Sequence, residues 1–179
     1  MIKLLNNIQL SNTLDMPEDG KLFVEGYAMH FNTINKNGEM VLPGAFDRFF
    51  EELKQNGLMP AFTAFHKNDM IVGKWTNIVA DNKGLKVEGY LDLNIKEVAD
   101  NIAPMVKNGS LISLSTEGFV HMEDIQEFED HYVVKNMTLT AISLVPIGAD
   151  LQASITLKNA LENKEPESEP NKGMVLLYI

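Results

Sequence analysis

Hydrophobic positions recur along this chain with two different periods. In the segment LPGAFDRFFEELKQNG, Phe46, Phe49, Phe50 and Leu53 fall at i, i+3, i+4 and i+7. That is one apolar stripe and predicts a helix. Pro43 suits its first turn and Gly57 its C-terminal stop. Elsewhere, short runs rich in β-branched and aromatic residues predict strands at 2–10, 21–29, 60–66, 71–80, 85–93, 111–121 and 131–146. Turn clusters separate them at 16–20, 67–69 and 81–84, and residues 32–40 read as a loop. Residues 95–108 predict a second helix, with Ile95, Val98 and Ile102 on one face; Pro104 should kink or split it and Gly109 should end it. The acidic stretch HMEDIQEFEDH is expected to be a solvated hairpin loop.

The predicted order is β-β-α-β-β-β-α-β-β. It implies an α+β, mainly β fold: a mostly antiparallel, partly closed barrel flanked by two or more helices. Strands and helices do not alternate, which disfavours a parallel doubly wound sheet. After Leu157 the composition changes to NALENKEPESEPNKG, too poor in apolar residues to offset ordering entropy. Residues 1–157 are therefore expected to form the folded domain and 158–179 an acidic, Pro-containing flexible tail. The terminal MVLLYI is apolar again and suits a docking peptide, a cleavage remnant or an added strand.

Charge and composition narrow the function. The net charge of −10 opposes binding to phosphate backbones and to anionic membrane surfaces. No apolar run reaches transmembrane length, and MIKLLNNIQL lacks the long apolar core of a signal peptide, so a cytoplasmic location is expected. The absence of Cys excludes disulfides, thiolate metal sites and a cysteine nucleophile.

Chemistry must then come from His, Ser and carboxylates. His121 and His131 flank the acidic stretch, but their spacing matches no established metal motif, and surface charge is the simpler reading. His66 ends an apolar run just before Lys67, Asn68 and Asp69, where a strand end would fix its backbone and leave its ring free to act as a general base. In SLISLSTEGF, Ser113 and Ser115 share one face of an extended strand, while Ile112 and Leu114 would anchor the other in the core. Ser115 is thus a candidate nucleophile, provided that a His reaches it. A GxSxG elbow and a Gly-rich phosphate loop are both missing.

Four blocks in order resemble the prohead maturation proteases of tailed bacteriophages. They are GYAMHFNTINKNGEMVLPGAF, FTAFHKNDMIVGKWTNIVADNKGLKVEGYLDL, KNGSLISLSTEGF and TLTAISLVPIGADLQASI, spanning roughly 22–157. The resemblance implies a serine endopeptidase with a fold like the herpesvirus assemblins, needing no metal or organic cofactor. It implies His66 as the base and Ser115 as the nucleophile. Its substrates would be the scaffolding segment of the capsid protein and other prohead proteins, with the protease itself as a further candidate, cut inside the assembling prohead in the host cytoplasm. By analogy with the assemblins, a homo-oligomer is one expected state. The family often carries an acid two positions before the Ser of its SLV block, where this chain has Ala141, and STEGF is one residue longer than the common pattern. The site is then a dyad, or His66 is oriented by Thr140 or by a carboxylate such as Glu117 or Asp124. The alternative function is a non-catalytic capsid-assembly or scaffold-binding module, and Ala141 is the feature that supports it.

Overall fold

The computed structural model describes residues 19–158. The predicted strand at 2–10 and the segment beyond Lys158 lie outside them. In chain order the elements are β1 (Lys21–His30), β2 (Glu39–Val41), α1 (Asp47–Asn56), β3 (Ala61–Ala64), β4 (Lys67–Ala80) and β5 (Gly84–Asp92). A π-helical turn (Val98–Ile102) then runs into α2 (Ala103–Lys107), followed by β6 (Ser113–Phe119), β7 (Ile125–Glu127), β8 (Tyr132–Val134), β9 (Thr138–Val145) and β10 (Ser154–Leu157). Among the described residues, no helix is long and apolar enough to cross a membrane.

Seven strands close into a barrel in the order β1-β10-β6-β9-β3-β4-β5, with β5 returning to β1. Every pairing in it is antiparallel except β3–β9. β5 shows how the barrel fills: Leu85, Val87 and Leu91 alternate inward with polar neighbours facing out, and all three are closed to solvent. At the centre Trp75 stacks on Phe62, with ring centroids 3.8 Å apart. Gly26 lets β10 lie tightly on β1, since a Cβ there would sit 1.9 Å from the Ser154 carbonyl oxygen. A smaller sheet, β2-β8-β7, packs beside the barrel.

The predicted helices are present, with adjustments. α1 buries Phe49 and packs Phe50 and Leu53 on the core, and Gly57 closes it at φ 70° with its N–H on the Leu53 carbonyl. Pro43 lies before the helix rather than in its first turn. The second helix splits at Pro104, which falls in the first turn of α2, where its missing N–H costs no hydrogen bond. Val98 and Ile102 face the core, but Ile95 is exposed.

The strands depart further from expectation. β2, β7 and β10 are three or four residues long, too short to show a period, and β2 occupies part of the expected loop. The expected strand at 131–146 is two strands: β8 joins the small sheet and β9 the barrel. The acidic stretch is partly structured, supplying β7 and the turn before it.

Candidate active site

β3 and β4 are joined by two residues, Phe65 and His66, between the paired Ala64 and Lys67. Both connecting residues have left-handed backbone, with φ of 58° and 55°. A two-residue hairpin loop of this kind favours Asn-Gly, because a Cβ in that region costs about 1–2 kcal/mol per residue. His66 therefore sits in the turn rather than at a strand end, and Lys67–Asp69 belong to β4 rather than to a turn. Phe65 packs partly on the core and donates its N–H to the Leu144 carbonyl, 2.7 Å away. The turn is thereby pinned to β9 while the His66 ring stays accessible, with 46% of its side chain exposed.

Three hydroxyls line up across the neighbouring strands. Ser115 on β6 is paired with Ser143 on β9, and Ser143 with Thr63 on β3. Residues directly opposite in a ladder point to the same face, so this row lies outside the barrel while Leu114 and Leu144 point in. Thr63 and Ser143 are fully buried, whereas Ser115 is half-buried. Ile112, expected to anchor this strand, is exposed and precedes β6; Leu111 and Leu114 do the anchoring.

The same face of β6 carries Glu117, two residues on from Ser115, a step of about 7 Å along a strand. One of its carboxylate oxygens, Oε1, takes two contacts. It lies 2.8 Å from His66 Nδ1 and accepts the Ser143 hydroxyl at 3.0 Å. Ser143 in turn bonds Thr63. Since Ser143 gives its proton to Glu117, Thr63 must donate to Ser143. A carboxylate can only accept, so His66 Nδ1 carries a proton and its Nε2 is left as the acceptor in the neutral ring. The chain thus runs Thr63 to Ser143 to Glu117, which holds the His66 ring on the face of the sheet that bears Ser115.

An ion pair this exposed contributes roughly 0–1 kcal/mol to stability, no more than the left-handed backbone of His66 costs. The arrangement is not explained by stability, and strained backbone of this kind concentrates at functional sites.

On its other side Ser115 borders a cavity of about 60 Å³ between β6, the end of β1 and the loops carrying Asn35 and Asp150. A neighbouring hollow of about 260 Å³ shares Asn35, Ala149 and Asp150 with it and is flanked by the exposed Ile34 and Leu151. β6 pairs with β9 along its length but with β10 at Ser113 alone. Gly148 passes close to the residue before Ser115; a Cβ there would lie 2.3 Å from the Leu114 carbonyl oxygen.

The other candidates lie apart. Thr140 is exposed and is the extra residue on β9 where the β6–β9 register slips, and the side-chain partner of His66 is Glu117. Asp124 pairs with Arg48 of α1. His131 contacts Asp130 and stacks on Phe128, and His121 precedes the short turn before β7. Among the described residues, no group of three or more His, Asp or Glu side chains is placed to hold a metal ion. The buried His30 meets Asp150 through both its backbone N–H and Nδ1, tying the loop after β9 to β1. Sequence reasoning gave Thr63 and Ser143 no part in the site. Their one signal was a hydroxyl inside each of two apolar strands, and a buried hydroxyl needs a partner.

Three comparisons bear on this geometry. Residues 9–166 match the family model described as Caudovirus prohead serine protease. The chain is 32% identical over 150 residues to the prohead protease of Enterobacteria phage HK97, a match that covers 82% of this chain and 65% of that protein's length. Among solved structures, the bacteriophage T4 capsid assembly protease superposes with a TM-score of 0.56 at 11% identity, covering 70% of this chain and 82% of that one. KSHV protease, solved with a hexapeptide phosphonate inhibitor, gives 0.53 at 14% identity, covering 79% and 66%. The two structures share the fold, an assemblin-type barrel, and the family match spans most of the chain. This chain belongs to the prohead serine protease family of tailed bacteriophages.

Proposed function

We propose that this protein is a serine endopeptidase that cleaves the scaffolding segment of the capsid protein, other prohead proteins and itself inside the assembling prohead, with Ser115 as nucleophile and His66 as general base. The observation that carries this reading is the hydrogen bond from His66 Nδ1 to Glu117, which leaves Nε2 as the proton acceptor on the face of β6 that bears Ser115. A substrate peptide laid along the stretch of β6 beyond Ser113 would bring its scissile carbonyl over Ser115.

Ser115 Oγ bonds to the carbonyl carbon as its proton passes to His66 Nε2. The tetrahedral adduct collapses, the C–N bond breaks and His66 returns the proton to the leaving amine. Water then attacks the acyl-enzyme, giving one proton to His66, and the new carboxyl product leaves as Ser115 regains its proton. Glu117 faces the imidazolium formed in each half-reaction. The backbone N–H groups of Ile147 and Gly148, in the loop that runs against Leu114, would hold the oxyanion; losing one such donor costs about 2.7–4 kcal/mol of barrier.

The non-catalytic module draws its support from Ala141, and the Glu117 contact supplies His66 with a carboxylate all the same. The deciding experiment incubates purified protein with its capsid and scaffold partners and follows the fragments by mass spectrometry. Cleavage that disappears in Ser115→Ala supports the peptidase. Full cleavage by Ser115→Ala rejects Ser115, and no cleavage by the unaltered protein assembled with its partners returns the module.

A further inference from the structure

We infer that Glu117 is the positioning residue of this site: from β6 it orients the His66 imidazole, opposite Ala141 on β9, where the resemblance leads one to expect an acid. The inference rests on the reading of Ser115 and His66 given above. Its main support is register. Glu117 and Ala141 are directly opposed in the β6–β9 ladder, and the side chains of such a pair rise from points about 5 Å apart on one face. A carboxylate from either strand can therefore reach the same imidazole. Ala141 is buried and presents only a methyl group, and the carboxylate contacting His66 comes from across the ladder.

Position alone does not orient a base, since Glu117 is a flexible side chain. Its Oε1 is also held by the buried Ser143 hydroxyl, itself held by Thr63. Charge-assisted bonds of this kind fix geometry as well as adding energy, and the buried Thr63–Ser143 end of the chain anchors the partly exposed Glu117 from its dry side. The register slips immediately after Glu117, at Gly118, where a Cβ would lie 2.1 Å from the Thr138 carbonyl oxygen. The regular ladder therefore persists through Ser115 and Glu117, keeping both on one face, and breaks only beyond them.

The role predicts behaviour that a merely structural carboxylate lacks. Glu117→Gln keeps the shape and can rotate its amide to bond Ser143, but it no longer enforces a proton on Nδ1. Loss of the tautomer-setting carboxylate in a Ser-His-acid site lowers kcat by up to ~10⁴-fold; here kcat should fall at least a hundredfold, with KM changed less than about threefold. The decisive variant returns the acid to the other strand. Glu117→Ala combined with Ala141→Glu should recover at least tenfold over Glu117→Ala alone.

The experiment measures kcat and KM of these three proteins in the full chain, beside Ser115→Ala, and reads the His66 tautomer from its ring-nitrogen NMR shifts. The inference holds if Glu117→Gln is slow with KM preserved, the Nδ1–H tautomer of His66 loses population in that variant, and the double variant recovers. It is overturned if Glu117→Gln keeps kcat within threefold of the parent beside an inactive Ser115→Ala. It is equally overturned if the double variant folds yet performs no better than Glu117→Ala. A fully active Ser115→Ala is a separate outcome, since it removes the serine reading and Glu117's role along with it.

Discussion

Ser143 stands directly across the β6–β9 ladder from Ser115, yet Ser143 is closed to solvent and spends its proton on Glu117. Two serines side by side on one face thus have different chemistry. Ser115 is reachable and borders a cavity; Ser143 is part of the support. Ser115→Ala should abolish cleavage. Ser143→Ala should leave the proposed nucleophile in place and slow it. A hydrogen bond to a charged group contributes about 1.5–3 kcal/mol, so a loss of roughly tenfold or more in kcat is expected. Ser113→Ala, two residues before Ser115 on the same strand, should stay close to the parent. Steady-state kinetics on one peptide substrate separates the three.

The turn at Phe65 and His66 predicts an opposition between stability and activity. His66→Ala loses the ring but keeps a Cβ in left-handed backbone, whereas His66→Gly relieves it. Both should be inactive. His66→Gly should nevertheless be the more stable of the two by about 1 kcal/mol, read from urea midpoints. Equal stability would mean that the turn carries no strain.

A charge cluster at the barrel seam predicts a pH dependence of stability. Lys158 bonds Glu88 at 2.9 Å and lies 3.7 Å from Glu25. Its hydrogen bond holds the Glu88 carboxyl below the usual carboxylate range, and Glu88 in turn raises the Lys158 ammonium above its own. The Glu88 contribution is fully present above about pH 4.3, the unfolded value, and is lost as pH falls through the lowered folded value. The Lys158 contribution is present below about pH 10.4 and is lost as pH rises through its raised value. Lys158→Met, which keeps most of the stem, should cost up to about 1 kcal/mol at neutral pH. It should also flatten the acid limb of a plot of stability against pH.

Gly26 tests barrel closure. A methyl group there meets the Ser154 carbonyl oxygen at 1.9 Å, which is backbone and cannot step aside. Gly26→Ala should force β10 from β1 and cost about 1–3 kcal/mol, as overpacking does. Chemical denaturation measures the loss.

How much of this was legible in the sequence differs by element. α1 announced itself because Phe46, Phe49, Phe50 and Leu53 repeat over two turns, long enough for a period to emerge. β2 and β10 could not, since three or four residues hold at most two inward positions and their pairing partners are far away in sequence. The turn at Phe65 and His66 was misplaced by two residues because neither residue is a turn former, and only the backbone reveals the strain. His66 and Ser115 were nameable from residue type, local pattern and family resemblance. Glu117 was not singled out: it was one of several carboxylates, Thr140 stands next to Ala141 in sequence, and only register puts Glu117 opposite Ala141.

A single serine activated by a single histidine should be the one site of covalent labelling. The full-length protein, assembled with its partners, is treated with a serine-reactive phosphonate, and the modified peptide is mapped by mass spectrometry. A single adduct on Ser115 is expected, absent in Ser115→Ala and strongly slowed in His66→Ala. An adduct on another residue, or a protein that cleaves its partners while Ser115 stays unlabelled, would contradict it.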